Sequence, residues 1–109
     1  MPEAINKKLF DWLRSLYSVW ARLTPEMIYS SSQIALVELL QSGCTTTADH
    51  HYIFSNQLEN AIDIQVEAAK AIGCRVVLAR GSMSLGQKDG GLPPSQTVQS
   101  EKTIMEDSE

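Results

Sequence analysis

Imidazole and thiol groups are scarce in this sequence, with two histidines and two cysteines among 109 residues. The histidines are adjacent, His50 and His51, and no His-x-His or Cys-x-x-Cys spacing occurs. Successive residues of an extended segment point to opposite sides, whereas a catalytic zinc site takes three protein ligands and a water. The chain is therefore not expected to hold a metal ion by itself. Basic residues are also few, 9 against 13 acidic ones, for a net charge of -4. That balance argues against nucleic acid and anionic membrane surfaces as partners. No apolar run approaches the roughly 18 residues that mark a membrane span. The segment behind Lys7 and Lys8 carries Asp11 and Arg14 and lacks the apolar centre of a secretory signal. A cytoplasmic location is the expectation. Internal repeats and low-complexity tracts are absent.

What is present is an alternation of helical and strand patterns over a hydrophobic content of 43%, ordinary for one small globular unit. Leu9, Leu13, Leu16 and Trp20 recur near helical spacing and predict a helix over 4–22. Thr24-Pro25-Glu26 is a start signal: the threonine side chain can accept an orphan backbone N–H, and proline suits the first helical position. A second helix is predicted over 25–41, with Ile28, Ala35, Leu36 and Leu39 on one side and Gly43 as its left-handed stop. Residues 44–48, Cys-Thr-Thr-Thr-Ala, are short, β-branched and uncharged, and read as a buried strand. A loop is expected from Asp49 to Asn56. A third helix over 57–72 places Leu58, Ile62, Val66 and Ala69 together and ends at Gly73. Residues 75–79 form the clearest strand.

Such a strand–helix–strand unit makes two parallel strands joined by a right-handed crossover. Parallel sheets need cover on both faces, which two strands alone do not supply. Residues 81–95 read as a long loop, a common place for function, and residues 100–105 as the first turns of another helix. Gly90-Gly91 does not sit between a strand and a helix start, so it is not a phosphate loop. Cys44 and Cys74 each lie at a predicted strand start. Two readings stand for them: a disulfide between neighbouring strands, or two reduced core thiols, as a cytosolic chain would favour.

Three blocks carry a resemblance to a known family. The first is Lys8-Leu9-Phe10-Asp11-Trp12-Leu13 with Leu16-Tyr17-Ser18-Val19-Trp20 and Leu23-Thr24-Pro25-Glu26. The second is Ser42-Gly43-Cys44-Thr45-Thr46-Thr47-Ala48-Asp49-His50-His51-Tyr52. The third is Arg80-Gly81-Ser82-Met83-Ser84-Leu85-Gly86 with Gly90-Gly91-Leu92-Pro93-Pro94. Together they resemble the amidohydrolase superfamily, in the branch of metal-dependent aminohydrolases that includes 8-oxoguanine deaminase and hydroxy-s-triazine hydrolases. The resemblance implies an α/β fold, a partial (β/α)8 barrel comprising roughly its second and third strands, whereas a full barrel takes about 250 residues. The whole chain, 1–109, would be one fragment of that barrel domain.

The implied parent activity is metal-dependent hydrolysis of C–N bonds, deaminating a purine- or triazine-like ring, with zinc or iron as the metal. The family's metal ligands are a His-x-His on the first barrel strand, histidines on the fifth and sixth, and an aspartate on the eighth. None of these motifs occurs here, so this chain is expected to carry no catalytic or metal-binding residue and to be inactive alone. Its expected share is substrate contact. In a β/α barrel the C-terminal strand ends form the active-site mouth, which makes His50, His51 and Arg80 candidates by position. An arginine there offers a planar fork of donors, or else pairs with Asp49 on the adjacent strand. Asp49 and Ser82 are expected as structural support at the mouth. Trp20, at the end of a helix that shapes the pocket in this branch, would stack on the ring or pack in the core. Ser18 stands where close relatives carry proline. The alternative to a clipped enzyme is a non-catalytic remnant that pairs its open sheet edges with another chain. Either way, the isolated chain is expected to self-associate.

Overall fold

A computed structural model describes residues 4–55 and 57–109; Asn56, the last residue of the expected loop, lies outside the described residues. Four helices flank two strands in the order α1 (Leu9–Trp20), α2 (Pro25–Gln41), β1 (Thr46–His51), α3 (Ala61–Ile72), β2 (Arg75–Arg80) and α4 (Glu101–Ser108). β1 and β2 pair in parallel, with Thr46 opposite Arg75 and His51 opposite Arg80. α3 is the crossover between them. The arrangement is the α/β unit of two parallel strands with flanking helices that the sequence implied.

Several boundaries differ from the sequence-based expectation, each for a local reason. α1 begins at Leu9, not at residue 4, because Asn6 takes φ 60° and breaks the helical path. α3 begins at Ala61, not at 57. Leu58 N–H instead donates to Ser55 O and Ala61 N–H to Leu58 O, a tight turn that drives Leu58 fully into the core. β1 covers 46–51 where 44–48 was expected. Cys44 is unavailable to the strand because its N–H closes α2, donating to Leu39 O at 2.9 Å, while Gly43 holds φ 89°. At the other end Asp49, His50 and His51 are polar but find Leu78, Ala79 and Arg80 as ladder partners. β2 runs one residue past the expected 75–79 for the same reason. The last helix reaches Ser108, capped where the Ser100 hydroxyl accepts the Thr103 N–H.

α2 starts as its signal dictates, with Thr24 Oγ1 accepting the Met27 N–H at 3.3 Å. Two apolar clusters form. One joins α1, α2 and the 52–61 segment through Tyr17, Ile28, Phe54 and Leu58. The other seats α2 and α3 on the sheet through Leu36, Ala69, Cys74 and Val76. Of the first helical stripe, Leu16 is buried and Leu13 and Trp20 half-buried, while Leu9 remains 64% exposed. Cys44 and Cys74 are both free thiols. Among the described residues, no helix is long and apolar enough to cross a membrane.

Candidate functional site

The site is built at the C-terminal ends of β1 and β2, where the side chains alternate between two very different faces. Thr47, Asp49 and His51 stand opposite Val76, Leu78 and Arg80 on the face covered by α3. Thr46, Ala48 and His50 stand opposite Arg75, Val77 and Ala79, and all six of these are exposed. The adjacent histidines are thus separated by the thickness of the sheet.

His51 lies on the covered face and is 9% exposed. Its Nε2 is 2.7 Å from Ile53 O. A carbonyl can only accept, so Nε2 carries the proton. The ring meets Phe54 edge-on at 5.2 Å. Burial pushes the His51 pKa below the usual histidine value, opposed by the Ile53 carbonyl and Asp49 and reinforced by Arg80. Desolvation wins because a charged imidazolium would lose more hydration than the carbonyl and carboxylate return.

Arg80, one strand over, lays its guanidinium 4.1 Å above the Phe54 ring. Nε donates to Asp107 on α4 at 2.8 Å, one terminal nitrogen donates to Gly81 O at 2.8 Å, and the other donates to Gln99 Oε1. Its side chain is 11% exposed. Arg80 is therefore a bracket that ties β2, the 52–55 segment and α4 together. The alternative pairing with Asp49 is not formed. Asp49 sits two residues short of Arg80's level and accepts from Gln65 Nε2 on α3 at 2.7 Å.

His50, by contrast, is solvent-exposed on the open face. Beyond the strand end, Tyr52 lies against Gly81, where an added Cβ would collide with the Tyr52 ring. A glycine there lets the ring close onto the backbone. Ser82 is exposed beside it. Trp20 packs edge-on against both Trp12 and Tyr17 at 5.6 and 5.7 Å and borders the main cavity. It is both a core residue and a wall.

That cavity, about 790 Å³, is bounded by α1, α2, the run from Thr47 to Ile53, Val76 and Leu78 of β2, and Ser82 and Met83. Gln65 borders it too, and its Oε1 is buried without a hydrogen-bond partner among the described residues. Sequence reasoning missed Phe54, Gln65, Gln99 and Asp107. Phe54, an aromatic in a polar loop, and Gln65, a polar residue flanked by Ile64 and Val66, were visible irregularities. Asp107 gave no signal, because it is one acid among several in an exposed helix.

The described residues do not fit a catalytic metal. The two histidines face opposite sides, His51 is already engaged, and no cluster of three His, Cys, Asp or Glu side chains occurs among the described residues.

Residues 3–109 match the amidohydrolase family. The chain is 60% identical over 105 residues to 8-oxoguanine deaminase of Pseudomonas aeruginosa, covering 96% of this chain and 23% of that protein. It is 34% identical over 99 residues to hydroxydechloroatrazine ethylaminohydrolase of Pseudomonas sp. strain ADP, covering 90% of this chain and 21% of that protein. Among solved structures, the fold superposes with a TM-score of 0.84 on atrazine chlorohydrolase of Arthrobacter aurescens TC1 complexed with zinc, at 27% identity, covering 97% of this chain and 25% of that one. The chain thus spans about a quarter of the length of the relatives it matches.

Proposed function

Because the chain belongs to the amidohydrolase family, we propose that it forms the substrate-facing strand pair of a metal-dependent hydrolase that cleaves C–N bonds, deaminating a purine- or triazine-like ring. The observation that carries this reading is the 60% identity to 8-oxoguanine deaminase across nearly the whole chain. In that reaction water attacks the amino-bearing ring carbon, a C–O bond forms, the C–N bond breaks and ammonia leaves. The described residues offer no cluster of metal ligands, so the ligands for zinc or iron would lie outside them, and this chain contributes binding and shape.

His50 on the open face is proposed as the substrate contact, and Ser82 and Trp20 border the same cavity. His51 and Arg80 act by position, since their polar atoms are committed within the protein. Asp49 supports the mouth through Gln65. The substrate is a small heteroaromatic molecule in the cytoplasm, with no nucleic acid or membrane involved. A second reading, an interaction module that pairs with another chain, is favoured by the outer edges of both strands, which stand unpaired among the described residues in a two-stranded sheet. The same edges support self-association of the isolated chain.

The test is a chimera in which this chain replaces the matching stretch of the Pseudomonas aeruginosa 8-oxoguanine deaminase. Ammonia release from 8-oxoguanine within about tenfold of the parent is expected. A chimera that binds zinc and melts cooperatively, yet releases no ammonia from 8-oxoguanine or from a panel of aminopurines and aminotriazines, would overturn the reading.

A further inference from the structure

The open face of the sheet continues one step past the strand ends. Gly81 N–H donates to His51 O at 2.7 Å, which carries the ladder beyond Arg80. Tyr52 therefore stands opposite Gly81, as His50 stands opposite Ala79 and Ala48 opposite Val77. Side chains alternate along a strand, so these three pairs share one face. The Cβ that Gly81 lacks would fall on Cγ, Cδ1 and Cε1 of Tyr52. The phenol ring thus lies on the open face, laid across the glycine.

This seat fixes the ring. The two ring-bearing residues at this end of β1, His50 and Tyr52, are met by the small residues Ala79 and Gly81. One face of the Tyr52 ring rests on backbone, yet the residue is still 47% exposed. Its other face is consequently free. A tyrosine has only two side-chain torsions, and one held against backbone gives up little further freedom when a ligand arrives. The result is a rigid apolar plate beside His50, two residues away and about 7 Å along the face at the usual strand rise.

We propose that Tyr52 is a specificity residue for the deamination reading above, on which the proposal rests: a planar heteroaromatic ring stacks on its free face while His50 meets the same ring. Stacking selects rings with a π-face and is indifferent to their hydrogen-bonding edge. Tyr52 would thus set the class of substrate, and His50 would choose within it. The ring is present in the bound substrate whatever the state of the reacting carbon, so the contribution falls on binding and not on the chemical step.

The experiment measures ammonia release from 8-oxoguanine by the 8-oxoguanine deaminase chimera. Tyr52→Leu should raise KM about tenfold, as loss of a base–aromatic stack does, and leave kcat within about twofold. Tyr52→Phe, which keeps the ring, should keep the KM. Gly81→Ala pushes the ring off its seat and should raise KM as Tyr52→Leu does. The two changes combined should cost no more than either alone, because both remove one plate. An unchanged KM in Tyr52→Leu, in a chimera that still releases ammonia, would overturn the proposal and leave the deaminase reading standing. An equal loss in Tyr52→Phe, or a loss that tracks a lowered melting temperature and kcat, would also overturn it. An unsubstituted chimera that folds, binds zinc and releases no ammonia would take down both.

Discussion

The two faces of the sheet treat neighbouring residues of the same type in opposite ways. On the covered face, His51, Phe54 and Arg80 form a chain of contacts from the Ile53 carbonyl to Asp107, and every polar atom named in it has a partner. On the open face, His50 and Val77 meet solvent, and Val77 is 65% exposed. The first face spends its polar groups on internal structure; the second leaves them available. Substitutions that disturb one face and spare the other therefore test whether this division is real.

The largest expected effect lies at the centre of the covered face. Phe54 is 4% exposed and carries His51 on its edge and Arg80 on its face. Phe54→Ala should lower stability by about 3–5 kcal/mol, as buried phenylalanine truncations do. Urea unfolding followed by circular dichroism measures it. Loss below about 1 kcal/mol would mean that the contacts do not act as a unit. Arg80→Lys is expected to have a smaller effect, about 1–3 kcal/mol, because an ammonium keeps the charge but cannot serve Asp107, Gly81 and Gln99 at once or stack on Phe54. Faster amide exchange confined to α4 would locate the damage.

A pH titration sharpens the comparison between the histidines. The folded His51 pKa lies below its unfolded value because burial disfavours the cation. The unfolded chain therefore takes up a proton first as pH falls. Stability from this residue is complete above the unfolded value of about 6.5 and is lost as pH drops from there through the folded pKa. The urea midpoint should fall between pH 7.5 and 5.5. His51→Gln should flatten that part of the profile. An unchanged slope in the His51 variant would assign the titration elsewhere.

How much of this was legible differs by element, for physical reasons. α2 announced itself at both ends, through Thr24-Pro25 and Gly43, because capping is a local interaction. β2 was legible from its apolar run. β1 was displaced because Asp49, His50 and His51 have little strand preference, and only pairing with β2 extends them. The same displacement hid the division of the histidines, since a loop carries no alternation. Arg80 stood out as a mouth residue, yet its partner Asp107 lies 27 positions away, and no local pattern links them. The family itself was recognisable because its blocks are contiguous stretches of sequence.

The smallest effect on stability and the sharpest on function are expected together at the open face. Val77→Lys should change stability by less than about 0.5 kcal/mol, as exposed substitutions usually do, while reducing self-association of the isolated chain in sedimentation, because it places a charge beside the exposed Ala48 and Ala79. His50→Ala should be equally silent in unfolding experiments, since His50 makes no side-chain hydrogen bond among the described residues and is exposed. In the 8-oxoguanine deaminase chimera, however, the same substitution removes the side chain proposed to meet the ring. A loss of a single hydrogen bond worth about 1.4 kcal/mol corresponds to a tenfold fall in kcat/KM. That fall, with an unchanged melting temperature and unchanged zinc content, is the expected outcome. Full activity in His50→Ala, alongside a loss in His51→Gln that exceeds its loss of stability, would reverse the assignment and place the functional histidine on the covered face.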